Sequence, residues 1–148
     1  MKRFLCVFIA ALLFCCTGCS LVESVLISLP EYSSNEYYSY GAFSDYTDFG
    51  IFYFDFPIDE HVAENLYFSQ VGQNQDGILQ YLKNYEMWVE TVTKYEDPMF
   101  SEYYTYNRAS LDSEDWYYLD SKYGNTDNYS LFVYDIQTNT LYFFHNNI

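Results

Sequence analysis

The stretch from Tyr129 to Asn147 reads YSLFVYDIQTNTLYFFHNN. Two aromatic and β-branched runs flank Gln137-Thr138-Asn139-Thr140, a pattern that predicts a β-hairpin with a short loop. Both faces of each run are apolar. A strand buried on both sides sits inside a sheet, so this hairpin is expected at the centre, with a helix covering one face. That helix is legible upstream. Over residues 77–94, Ile78, Leu82, Tyr85, Val89 and Val92 recur at spacings of four and three, with Tyr81 and Trp88 beside them. Trp88 is assigned to the core on this pattern. Asp76 is the expected N-cap. Glu90 and Lys94 form an expected i,i+4 pair, Lys94 also suits the C-terminal end of the helix dipole, and Pro98 forbids continuation.

The remaining segments add strands around this nucleus. Residues 49–56 are aromatic and apolar, bounded by Pro57. Residues 58–64 predict a short helical turn capped by Asp59. Residues 66–71, 102–108 and 115–123 read as further strands. Together these predict an α+β fold: an antiparallel sheet of about five strands, one long helix packed on it, and a C-terminal hairpin. The globular domain is expected to span residues 46–148. Ahead of it, residues 20–29 place Leu21, Val22, Val25, Leu26 and Leu29 on one helical face until Pro30. This short helix suits either a membrane interface or docking on the domain. Residues 31–45 are polar and aromatic without period, and read as a tether.

Charge narrows the partners. The chain carries 21 acidic and six basic residues, for a formal net charge of −15. A surface this acidic repels nucleic acid and anionic polymers and tolerates cations and basic partners. Aromatic residues make up 23%, with 19 tyrosines, which suits half-buried strands and also sugar- or protein-binding surfaces.

Chemical motifs are sparse. Aligning Gly77 with the glycine of an EF-hand loop puts Gly72 and Lys83 where the first and last carboxylates belong, so that motif fails. A looser carboxylate group, Asp112, Glu114 and Asp115 beside Asp120, offers at most a weak calcium site. There is no G-x-S-x-G nucleophile elbow. His61 and His145 are the candidate imidazole bases, and neither lies in an H-E-x-x-H pattern. No catalytic residue, metal ligand or cofactor site is assigned.

All four cysteines fall within the first nineteen residues: Cys6, Cys15, Cys16 and Cys19. Lys2 and Arg3 precede the apolar run FLCVFIAALLF, which gives way to small residues at Thr17 and Gly18. This is the layout of a secretory signal peptide. Cys16-Thr17-Gly18-Cys19 resembles the lipobox of bacterial lipoproteins, with Cys16 departing from the usual aliphatic residue. The resemblance covers residues 1–19 and implies removal of residues 1–18 and transfer of a diacylglycerol to the Cys19 thiol. Two acyl chains suffice for stable anchoring. The mature chain would then hold no free thiol and no disulfide. Taken whole, the chain resembles small bacterial lipoproteins. That implies a place on the outer face of the cytoplasmic membrane, or on the outer membrane of a two-membrane envelope, since Ser20 suits either. Three functions follow: a non-enzymatic interaction or structural module with an envelope-protein partner, a binder of glycan, peptide or cation, and a small carboxylate-dependent hydrolase.

Overall fold

The computed structural model describes residues 19–42, 45–121 and 124–147. The signal peptide predicted at residues 1–18 and the Cys19 side chain lie outside that description, as does Lys122. The chain divides into two compact units, Met1–Pro30 and Glu31–Ile148. In the first, α1 (Cys19–Ile27) is the short helix expected ahead of Pro30. Its last turn closes with Ser28 N donating to Val25 O at 3.1 Å and Leu29 N donating to Leu26 O at 3.2 Å, before Pro30 ends it. Among the described residues no helix is long and apolar enough to cross a membrane.

The second unit is α+β. Six antiparallel strands, β1 (Ser34–Ala42), β2 (Asp45–Tyr53), β3 (Ser69–Gln70), β4 (Trp116–Ser121), β5 (Asn128–Asp135) and β6 (Thr140–Asn147), form one sheet in the order β1-β2-β6-β5-β4-β3. The hairpin β5–β6 occupies the centre, as its doubly apolar pattern requires. Its turn spans residues 136–139. Asp135 accepts hydrogen bonds from Gln137 N at 2.8 Å and Thr138 N at 3.1 Å, and Asn139 adopts φ 51. Asp and Asn are the residues that hold such turns, by side-chain bonding to the backbone and by tolerating the left-handed region.

The strand count exceeds expectation because residues 34–42, read as tether, form β1. Their hydrophobic pattern is weak because β1 is an edge strand, with Asn35, Glu36, Tyr37 and Ser39 exposed. The compact unit accordingly begins at Glu31 rather than near Tyr46. Two other strand expectations fail. Residues 66–71 contribute only the two-residue β3, and residues 102–108 hold part of the short helix α4 (Phe100–Tyr103) and the start of a 3-10 turn at Arg108–Ser110. Phe100 and Tyr106 point into the core from these irregular segments, so their apolar character reflects burial rather than pleating. The short helix α2 (Asp59–Glu64) forms as expected, but Asp59 lies in its first turn, while Ile58 holds the cap position without a side-chain bond.

The long helix α3 (Gln75–Tyr95) has 21 residues, about 31 Å at 1.5 Å per residue. Ile78, Leu82, Tyr85, Val89 and Val92 are all buried. They share one core with Phe49, Leu131 and Phe144, three strand residues that lie in one cross-strand row. Polar pins fix the helix to the sheet: Tyr85 Oη donates to Asp48 O at 2.6 Å, and Tyr129 Oη donates to Tyr81 O at 3.0 Å. Tyr85 and Tyr129 thus place apolar bodies in the core and hydroxyls on backbone acceptors, while Tyr38 and Tyr53 at the sheet edge donate to the Glu36 carboxylate. Asp76 falls in the first turn rather than at the cap, which is Asn74. Lys94 does not pair with Glu90; its ammonium lies over the Tyr95 ring at 4.8 Å. The ion pair among the described residues is Arg108–Glu86 at 3.1 Å.

On the opposite face, Gly50 sits between Tyr37 and Phe143 in the strand register. A Cβ there would meet both at 3.2–3.4 Å. Its absence lets the two rings stack at 6.3 Å across the strand between them. Leu82→Ala is expected to lower unfolding stability by about 2–5 kcal/mol, while Lys83→Ala on the outer face changes it by about 0.5 kcal/mol or less, both read by urea denaturation.

Candidate functional site

Two places in the sheet unit gather chemically capable side chains. The first arises from strand register. Ser39 opposes Asp48, Asp48 opposes His145, His145 opposes Ser130, and Ser130 opposes Asp120. Five strands thus contribute one polar row, on the face away from α3. Residues opposite one another have Cβ atoms roughly 5 Å apart, which brings their side chains into one neighbourhood. Ser130 Oγ and His145 Nδ1 share a hydrogen bond of 2.7 Å. Tyr46 stacks on the imidazole with centroids 4.8 Å apart. The hydroxyls of Ser39 and Tyr37 lie toward Asp48 and favour its ionised form.

Burial governs the charges in this row. It raises the Asp48 carboxyl above the usual carboxylate range, with the two hydroxyls and His145 opposing the rise. It lowers His145 below the ordinary imidazole value, with Asp48 and Asp120 opposing the fall. Both groups are pushed toward their neutral forms. The order Ser–His–Asp invites comparison with a nucleophilic relay. Such a relay needs the second imidazole nitrogen held by a carboxylate. Here Nε2 is buried without a hydrogen-bond partner, and no Asp48 oxygen comes within ion-pair distance. The row works as a polar seam across the strands, buried at Asp48 and Ser130 and exposed at its ends, Ser39 and Asp120. His61, the other imidazole singled out by sequence, is exposed on α2.

The carboxylates near residue 112 resolve into loop architecture. Asp115 is 1% exposed and accepts from Asp112 N at 2.8 Å and Ile136 N at 3.3 Å. Asp112 Oδ1 accepts from Glu114 N at 2.9 Å. Asp120 stands apart on β4 in the polar row. Among the described residues no group of three His, Cys, Asp or Glu is placed to hold a metal ion.

The second place is an open groove of about 510 Å³ along the outer side of α3. Gln80, Lys83, Asn84, Met87, Trp88 and Thr91 form its helical wall. These positions recur at three and four, so they make one stripe, separate from the core stripe. Thr126 and Asp127, from the β4–β5 connection, form the opposite wall. Asn84 Nδ2 donates to Thr126 O at 2.6 Å, tying the two walls together. Trp88 is half-buried here rather than enclosed in the core. It lies one position before Val89 and turns toward the groove stripe, which sequence spacing alone assigned to the buried face. Met87 beside it is 58% exposed. The signal for this stripe was present in sequence as two large apolar residues, Met87 and Trp88, among polar neighbours.

No protein-family model, no curated protein and no solved structure matches this chain.

The polar row makes stability pH-dependent. His145 titrates lower in the folded chain than in the unfolded one, so the unfolded state binds the extra proton first. Stability falls as pH drops from about 6.5 to the lowered His145 value, by at most about 1.4 kcal/mol per pH unit. Asp48 acts with the opposite sign. Its raised value lets the folded state take up a proton first, returning stability as pH falls through that value toward 3.8. Urea denaturation across pH 7 to 5 is expected to show a shallower loss in His145→Gln than in the unsubstituted chain.

Proposed function

We propose that this chain is an extracytoplasmic lipoprotein, anchored by lipid on Cys19 and acting as a non-enzymatic interaction module. The observation that carries the location is the N-terminal sequence, a basic n-region and apolar run leading directly into Thr17-Gly18-Cys19. A domain displayed at the end of such an anchor must hold together without disulfides. The dense aromatic core supports that, with Tyr85, Phe49 and Phe144 in mutual ring contact. The acidity favours partners that are neutral or basic, such as an envelope protein, over nucleic acid or anionic lipid.

A second reading, a ligand-binding lipoprotein, is favoured by one specific observation. The α3 groove presents Trp88 and Met87 among hydrogen-bonding side chains, and its volume lies in the range of small-molecule sites, roughly 300–1,000 Å³. The two readings share the anchor and the display of a binding surface.

Mass spectrometry of the mature N-terminus from membranes tests the anchor. The expected species begins at Cys19 and carries a diacylglyceryl thioether. Cys19→Ser is expected to retain residues 1–18 and to lose lipid labelling. An unmodified, uncleaved N-terminus in the unsubstituted protein would overturn the reading.

A further inference from the structure

We propose that the α3 groove is a binding site for a neutral glycan, with Trp88 as the stacking platform. This deepens, and rests on, the reading of the chain as a displayed binding module. Sugar rings present an apolar face of C–H groups and a rim of hydroxyls. A site for them needs an uncommitted aromatic ring, planar hydrogen-bonding groups around it, and little net charge.

The groove supplies each. Many rings of the sheet unit are engaged with one another, as in the Phe49, Tyr85, Tyr104 and Phe144 cluster. Trp88 enters none of the ring pairs among the described residues and lines the groove instead. Gln80 stands one helical turn from Asn84 on the same wall, and Asn84 one turn from Trp88. The Asn84 amide spends its NH₂ on Thr126 O, which leaves its carbonyl oxygen as an acceptor. Asp127 faces them from the other wall, with its backbone N–H rather than its carboxylate engaged, donating to Asn125 Oδ1 at 2.8 Å.

Charge selects among ligands. Lys83 and Asp127 both line the groove, so their charges offset locally. An anionic polymer would have to approach a chain of formal charge −15. A quaternary or polyamine cation is best held by several aromatic faces, and here it would meet one indole and the Lys83 ammonium. A neutral pyranose meets no such opposition. The site is also set before binding: one wall is a helix pinned to the sheet, and the Asn84–Thr126 bond holds the second wall against it. Groups already in place cost less ordering entropy when a ligand arrives.

The test uses the detergent-solubilised full chain. The protein has two tryptophans, so Trp116→Phe leaves Trp88 as the sole indole reporter. Tetramers of N-acetylglucosamine and of β-linked glucose serve as neutral probes, polygalacturonate as the anionic one and spermine as the cationic one. The expected result is a saturable Trp88 fluorescence change with a neutral tetramer. In calorimetric titrations of the protein with both tryptophans, affinity should fall about tenfold or more in Trp88→Ala and measurably in Gln80→Ala, with melting temperatures unchanged. Saturable binding of only the anionic or only the cationic probe would overturn the glycan assignment. So would a flat response to the neutral tetramers by a folded chain. Neither failure touches the lipid anchor, which mass spectrometry of the mature N-terminus tests separately.

Discussion

Pairing of β5 with β6, with Asp135 opposite Thr140, is the constraint on which the rest of the sheet unit depends. Side chains alternate faces with a period of two, so a slip of β6 by one residue against β5 would send Phe144 to the far face and bring His145 beneath α3. The turn at residues 136–139 prevents the slip. Asp135 bonds Gln137 N and Thr138 N, and Asn139 takes the left-handed conformation. Once that register is set, β2 adds to β6 with Phe49 opposite Phe144, and β4 adds to β5 with Leu119 opposite Leu131. The apolar row that receives the helix and the polar row on the other face come from the same choice.

The helix α3 then serves two surfaces at once. Its core stripe closes the sheet through Leu82, Tyr85 and Val89, with the Tyr85 hydroxyl on Asp48 O. Its outer stripe carries Asn84 and Trp88 into the groove. The two stripes interleave: Asn84 precedes Tyr85, and Trp88 precedes Val89. Rigidity earned by the first is lent to the second, because a helix pinned along one side cannot rotate to hide the other.

Much of the fold was legible in the chain. The central hairpin, the long helix and its buried stripe, and the strand around β4 all carry strong periodicity, since burial on a regular element imprints its own spacing. The segments that misled were those whose burial or exposure does not follow a period. β1 is an exposed edge strand with little apolar patterning. Phe100 and Tyr106 are buried from a short helix and an irregular stretch. Trp88 lies at the border of two stripes, where one position of rotation separates core from groove. Of the candidate site residues, His145 was visible as an imidazole on a strand, but its partners were not, because Ser130 and Asp48 lie fifteen and ninety-seven positions away.

Sequence by itself determined the class of fold, the central place of the hairpin, the acidic character of the surface and the confinement of cysteine to the first nineteen residues. Each is a property of composition or of local period, and each acts through neighbours along the chain. Only the tertiary structure decided which polar residues meet. The row Ser39–Asp48–His145–Ser130–Asp120 exists because four strand registers align, and the groove exists because the β4–β5 connection folds back to bond Asn84. Contacts between residues distant in sequence carry no local signature, since the free energy that selects them comes from packing the whole sheet.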